Sequence, residues 1–264
     1  MDLRLGGKVA LITGSTAGIG LAIASALAAE GAHVTLNGRT IDRVGQAITE
    51  IRKAHPEAKV AGIDADVSTA RGCEKLIDAL PDVDILVNNA GIFEPKPFVD
   101  ISDRDWERFF QTNIMSGVRL SRSYFPKMLK QNWGRIVFIS SESGLQIPVE
   151  MIHYGMTKTA QLAIARGLAE ATVGTNVTVN SVLPGPTASE GVKTFVSSLA
   201  EKQNLGVKEF EKQFFQHARP SSLLQRFATP EEVANLVAFV CSPLSSATNG
   251  AALRVDGGVV RSIA

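Results

Sequence analysis

The run Lys8-Val9-Ala10-Leu11-Ile12-Thr13 leads directly into Gly14-Ser15-Thr16-Ala17-Gly18-Ile19-Gly20, and an alanine-rich stretch follows from Leu21 to Glu30. A short apolar run ending in glycines is the pattern of a strand buried on both faces, and such strands belong to parallel sheets. Parallel strands need a crossover between them, and the alanine-rich stretch has the helix propensity to supply it. The pattern then recurs along the chain. Strands are expected at 33–37, 60–63, 85–87, 136–139, 177–183 and 252–255, with helical stretches at 41–53, 68–80, 102–131 and 154–172. Ser102 with Asp105 has the spacing of a capping box, and Thr229-Pro230-Glu231-Glu232 is a complete helix start. Alternating units of this kind predict an α/β fold: a Rossmann-like, doubly wound parallel sheet between two helical layers, three-layer α-β-α, in a single domain over 1–264.

The glycine turn carries the first chemical expectation. Gly14, Gly18 and Gly20 let the backbone approach a pyrophosphate, and the following helix offers free N–H groups at its positive end. The spacing is GxxxGxG rather than the GxGxxG of long dinucleotide folds. In such folds an acidic residue after the second strand takes the ribose 2′-hydroxyl. Here that place reads Asn37-Gly38-Arg39-Thr40, without a carboxylate. A guanidinium suits a 2′-phosphate, so NADP(H) is expected in preference to NAD(H), which stays possible. The alternative is a solvated Arg39, partly neutralised by Asp42.

A second expectation rests on Tyr154 and Lys158. Four residues apart on a helix, they share one face. A cation near a phenol favours the phenolate and lowers its pKa from about 10 towards the range useful in acid–base catalysis. Ser141 follows the apolar run 135–140 and can hydrogen-bond a carbonyl oxygen that the phenol protonates. Alone, the pair favours the plainer reading of a helix face with one aromatic and one solvated lysine.

Other classes find little support. A formal net charge of +1 indicates neither a nucleic-acid surface nor an anionic membrane surface. The start of the chain lacks a signal-peptide pattern, and no apolar run reaches spanning length. Two cysteines do not make a disulfide framework and fit a reducing, cytoplasmic compartment. His33, His55, His153 and His217 are scattered, and no set has metal-ligand spacing, so no metal is expected. His153, beside Tyr154, is expected at the rim of the site or lining the substrate.

With these pieces placed, the sequence resembles the short-chain dehydrogenase/reductase family over nearly its whole length. Thr13 to Gly20 matches the family's TGxxxGIG loop, which brings Ser15, Thr16 and Ile19 to the cofactor. Asn88-Asn89-Ala90-Gly91 matches its NNAG motif near the adenosine side, and Asp66-Val67 its adenine-contacting pair. Asn113, Ser141, Tyr154 and Lys158 match the catalytic tetrad in order and spacing. Pro184-Gly185 matches the segment beside the nicotinamide, which puts Thr187 and Ser189 against the carboxamide and phosphates. The family's YxxSK reads Tyr-Gly-Met-Thr-Lys here, and Thr157 keeps the hydroxyl.

The resemblance implies hydride transfer between nicotinamide and a carbonyl or secondary alcohol: 3-oxoacyl, sugar, steroid or small ketone. Tyr154 would be the general acid/base, Lys158 would lower its pKa and hold the ribose, and Asn113 would anchor a relay water or mend a helix irregularity. The resemblance also implies a homo-oligomer, frequently a tetramer. A non-catalytic NADP(H)-binding regulator on the same fold is the alternative. Residues 187–228 are too long for a simple connection. They contain Phe195, Leu199, Phe210, Phe214 and Phe215, and are expected to act as a substrate lid or as a contact flap between subunits. Ser143, Gln146, His153 and the lid phenylalanines are the expected pocket residues. Asp256-Gly257-Gly258 reads as a turn or a subunit contact.

Overall fold

The computed structural model describes residues 2–192, 196, 201 and 205–263. Seven strands are described: β1 (Val9–Ile12), β2 (His33–Gly38), β3 (Val60–Asp64), β4 (Ile85–Asn88), β5 (Gly134–Ile139), β6 (Val177–Pro184) and β7 (Ala252–Val255). They form one parallel sheet in the order β3-β2-β1-β4-β5-β6-β7. The chain winds outward from β1 through β2 to β3, then restarts on the other side of β1 with β4. That reversal opens a crevice at the carboxyl ends of β1 and β4, where open α/β sheets bind ligands.

The continuous apolar runs are explained by the two layers on the sheet. Ala10 and Ile12, Ile85 and Val87, Val137 and Ile139 face one layer, with Ile23 and Leu27 of α1 (Gly18–Ala29), Ala47 and Ile51 of α2 (Ile41–Ala54), and Val233 and Val237 of a later helix. Leu11, Leu86, Ile136 and Phe138 face the other. Their partners are Cys73 and Leu76 of α3 (Ala70–Ala79) and residues of two further helices described next. Side chains alternate across a strand, so a strand with a helix layer on each face must be apolar at every position.

The long helix expected over 102–131 is three pieces. The Ser102–Asp105 capping box is present and opens α4 (Asp103–Phe109). A π-helical turn, Phe110–Met115, interrupts the helix before α5 (Ser116–Lys130). Extra residues in a turn of this kind redirect side chains and free backbone groups, and π-turns concentrate at functional sites. Asn113 lies in it. Leu120 and Tyr124 of α5 and Ala165 of α6 (Ile152–Glu170) complete the second core layer.

Residues 187–228 leave the sheet and return to it. α7 (Val207–His217) lies within this excursion, and Val196 and Phe210 form a small core with Val192, Leu205, Phe214 and Phe227. A parallel bridge between Thr187 and Ala228 ties the two ends together. Phe195 and Leu199 lie outside the described residues. The excursion hands over to α8 (Pro230–Cys241), whose Thr229–Glu232 capping box and first-turn proline are as expected. Among the described residues no helix is long and apolar enough to cross a membrane.

Candidate active site

The glycine turn is held by a network that reaches four strands. Thr13 Oγ1 accepts from the backbone N–H groups of Asn89 and Ala90, both at 3.0 Å. Asn89 Nδ2 donates to the carbonyls of Thr13 (2.9 Å) and Gly14 (3.0 Å). Ser15 Oγ donates to the Ile12 carbonyl at 2.7 Å and accepts from Asn37 N at 2.9 Å. Asn37 then spans to β3 through the carbonyls of Ala65 (3.0 Å) and Ile63 (3.3 Å), while its Oδ1 accepts from Gly14 N at 3.3 Å. Asn37 is thus a structural tie, a role its place in the sequence did not reveal.

All three glycines are required by geometry, Gly18 by its φ of +55°. Gly14 has φ +59°, a left-handed conformation that side chains rarely adopt. At Gly20 an added Cβ would fall 2.5 Å from both Asn89 Nδ2 and the Gly14 carbonyl oxygen. α1 begins without a side-chain cap and without an acidic residue in its first turn, so no side chain among the described residues caps its opening N–H groups. An uncapped amino-terminal turn behind a glycine bend accepts a phosphate by its free donors and its dipole. Ala17, Gly18, Ile19, Gly20 and Ser189 border one small cavity of about 170 Å³ there.

Arg39 and Thr40 are exposed just past β2; Thr40 precedes α2 without bonding its N–H groups. Asp66 follows β3, and its carboxylate accepts from Ser68 N (3.0 Å) and Ser68 Oγ (2.7 Å). Val67 beside it is buried. These four residues lie at the carboxyl ends of β2 and β3, outside the large cavity described next.

That cavity, of about 510 Å³, runs from Ile19, Asn89 and Gly91 past Ser141, Tyr154 and Lys158 to Pro184, Gly185, Thr187 and Ser189. Tyr154 and Lys158 stand one turn apart on α6, with Lys158 Nζ 5.6 Å from the phenol ring centroid. The ammonium is buried and donates to the Ile139 carbonyl (2.8 Å) and to Gln161 Oε1 (3.4 Å). Thr157 bonds the Tyr154 carbonyl at 2.7 Å and accepts from Asn113 Nδ2 at 3.0 Å. The Asn113 side chain also pairs both ways with the backbone of Ile92, at 2.8 and 3.0 Å. The Asn113 backbone carbonyl accepts from Gln161 Nε2 at 2.6 Å. The π-turn, the NNAG loop and α6 are therefore bolted together through Asn113. Gln161, one turn past Lys158 on the same face, completes the link; its i+3 spacing from Lys158 was the available signal.

Ser141 begins the short turn Glu142–Gly144 and accepts from Ser143 N at 3.1 Å. Its hydroxyl donates to the carboxylate of Glu142. Glu142 is buried, accepts from Ser143 N (2.7 Å) and Ser143 Oγ (3.0 Å), and meets Arg219 Nε at 3.1 Å. Glu142 was visible as a carboxylate next to the expected serine. Arg219 comes from the far end of the excursion, and nothing local in the sequence marks it.

The electrostatics differ from the sequence expectation. Burial pushes the Tyr154 phenol above its ordinary pKa, and the nearby Glu142 adds to this; the Ser141 hydroxyl and then Arg219 act the other way. Burial brings Lys158 down to about 8, opposed by Glu142. At the phenol, burial and Glu142 together outweigh the groups that act the other way.

His153 is a correction. It points away from the cavity and is fully buried, 4.0 Å from the Phe109 ring and 5.9 Å from Trp106 between centroids. Adjacent helical residues diverge by about 100°, which turns its ring into the α4 contact while Tyr154 faces the cavity. Gln146 is exposed and does not border the cavity, whereas Ser143, Phe210 and Phe214 do. Phe215 is buried behind them. Asp256 makes a turn by accepting from Gly258 N (3.1 Å) and Val260 N (2.9 Å), and its carbonyl closes on Gly185, where a Cβ would sit 2.5 Å away.

Similarity to known proteins agrees with this arrangement. The model of the family described as short chain dehydrogenase matches residues 8–200. The chain is 54% identical to an uncharacterized oxidoreductase, YvaG, of Bacillus subtilis, with all of both chains covered. It is 36% identical to the 3-oxoacyl-[acyl-carrier-protein] reductase FabG of Aquifex aeolicus, over 98% of this chain and all of that one. Among solved structures it superposes on L-sorbose reductase from Gluconobacter frateurii, complexed with NADPH and L-sorbose, with a TM-score of 0.92 at 31% identity over the whole of both chains. A doubly wound sheet, a GxxxGxG turn at its switch point and this degree of likeness lead to one conclusion: the chain belongs to the short-chain dehydrogenase/reductase family and is an oxidoreductase of alcohol and ketone groups.

Proposed function

We propose that this protein is an NADP(H)-preferring oxidoreductase that interconverts a carbonyl and a secondary alcohol, with Tyr154 as general acid/base. The observation that carries the reading is the convergence of Ser141, Tyr154 and Lys158 on one cavity that also takes in Asn89, Gly91 and Pro184 to Ser189. The NADPH bound in the L-sorbose reductase structure supports the choice of cofactor.

The glycine turn and the opening N–H groups of α1 would hold the pyrophosphate, Arg39 and Thr40 a 2′-phosphate, and Asp66 and Val67 the adenine. Ala90 and Gly91 would flank the adenosine side, and Pro184, Gly185, Thr187 and Ser189 the nicotinamide end. The dinucleotide, when bound, supplies or accepts hydride. Tyr154 gives its proton to the substrate oxygen in the reducing direction and takes it back in the oxidising one. Ser141 orients the substrate oxygen and stabilises charge on it. Lys158 sets the field around Tyr154 and holds the nicotinamide ribose. Asn113 keeps Lys158 in register through Gln161, and a relay water would take the second lone pair of its carbonyl. The excursion 187–228 covers the substrate end as a lid. The same reading makes the protein a cytoplasmic homotetramer, which light scattering and fractionation test.

Tyr154→Phe decides between this reading and a nucleotide-binding regulator. The variant is expected to bind NADPH as the parent does, by fluorescence titration, and to lose turnover by about 10²- to 10⁴-fold. Near-normal turnover would sink the mechanism.

A further inference from the structure

Glu142 and Arg219 are a costly pair to keep beside a reaction cavity. Their side chains are only 6% and 10% exposed. Burying two charges is repaid only where geometry and further hydrogen bonds are good, and a folding role alone is served as well by apolar residues. The pair is also not isolated. Arg219 Nη1 donates to Glu150 Oε1 at 3.1 Å and to the Ala218 carbonyl at 2.8 Å, and the guanidinium lies 5.9 Å from the Phe214 ring centroid. Glu142, Glu150 and Arg219 all border the cavity.

The hydrogen-bond inventory leaves specific groups over. A guanidinium has five N–H groups. Nε and Nη1 are used as described, and the Nη2 amino group has no protein acceptor among the described residues. The second oxygen of Glu150 likewise has no donor among them, and the Glu150 side chain is 43% exposed. One carboxylate separates Arg219 from Ser141, because Glu142 receives the serine hydroxyl on one oxygen and Arg219 Nε on the other. A donor and an acceptor thus stand beside the place where Ser141 would hold the reacting oxygen. Two carboxylates face the single guanidinium, so the cluster as a whole does not favour an anion.

We infer that Arg219 and Glu150 form a specificity subsite for a hydroxyl group carried near the reacting carbon, so that the substrates are neutral hydroxyketones and the corresponding diols or polyols. The hydroxyl oxygen accepts from Arg219 Nη2 and its proton is donated to Glu150. The apolar faces of Met151, Phe214 and Phe227 cover the carbon skeleton. This inference rests on the carbonyl-reductase reading above and names its substrate class.

The test is a specificity ratio. The kcat/KM of the purified protein with NADPH is measured for hydroxyacetone, dihydroxyacetone and a ketose, against acetone and cyclohexanone, with pyruvate as the anionic control. A site built to bond a hydroxyl discriminates against analogues lacking it, so the hydroxyketones are expected to lead acetone by at least about tenfold, with pyruvate behind them. Glu150→Gln, at a half-exposed position, and Arg219→Lys, which keeps a cation for Glu142, are each expected to shrink the hydroxyacetone/acetone ratio by about tenfold, chiefly through KM. A wild-type ratio near one, a preference for pyruvate, or a ratio that both variants leave unchanged overturns the subsite while the oxidoreductase reading stands. No NADPH oxidation with any compound overturns both.

Discussion

Arg39 is exposed beyond β2 and makes no hydrogen bond or ion pair among the described residues, so its charge is available to a ligand. A charge-assisted bond to a 2′-phosphate contributes about 1.5–3 kcal/mol. Arg39→Ala should therefore lower the NADPH/NADH ratio of kcat/KM by about tenfold or more, and an unchanged ratio would return Arg39 to the solvated surface. His153 is in the opposite situation. Both ring nitrogens are buried without a hydrogen-bond partner among the described residues. Burial lowers its pKa, against the opposing fields of Asp105 and Glu94; Arg108 and Lys96 act in the same sense as burial. The sign follows from linkage. Below about pH 6.5 the unfolded chain takes up a proton that the folded chain refuses, so stability falls as pH falls, by up to about 1.4 kcal/mol per unit. His153→Leu should flatten the dependence of the urea midpoint on pH between about 5 and 7 relative to the parent.

At the scale of elements, strand ends and helix starts were legible because their causes are local. Continuous apolar runs mark two-sided burial, and Ser102 and Thr229 cap the helices they were expected to cap. The π-turn at Phe110–Met115 was not legible, since no residue there breaks a helix by itself. It is held by Asn113 reaching Ile92 and Thr157, contacts between segments far apart in the chain. The glycine turn is sensitive to a single methyl group. Gly20→Ala places a carbon against Asn89 and Gly14. It should lower stability by about 1–3 kcal/mol by overpacking and weaken NADPH binding in the same titration.

Across the whole molecule, each side of the sheet has its own core, and the strands alternate their side chains between the two. Leu27 is fully buried in the layer where α1 lies against α8. Leu27→Ala should cost about 2–5 kcal/mol in urea unfolding, with cofactor affinity at low denaturant retained. That Ser141, Tyr154 and Lys158 border one cavity was legible because their spacing is carried by a few elements of set length. Arg219 was not, because its meaning depends on where a long excursion brings it. The Thr187–Ala228 bridge is the point where that excursion is tied off. A loop knotted at its neck transmits little of its own change to the framework behind it, and each doubling of its length adds only about 0.6 kcal/mol of closure entropy. Glu142 and Glu150 belong to the framework, whereas Arg219 travels with the loop. Rewriting residues 188–227 therefore amounts to exchanging a cassette: Tyr154 and the sheet keep their stance while the side chains that the loop brings to the cavity are replaced.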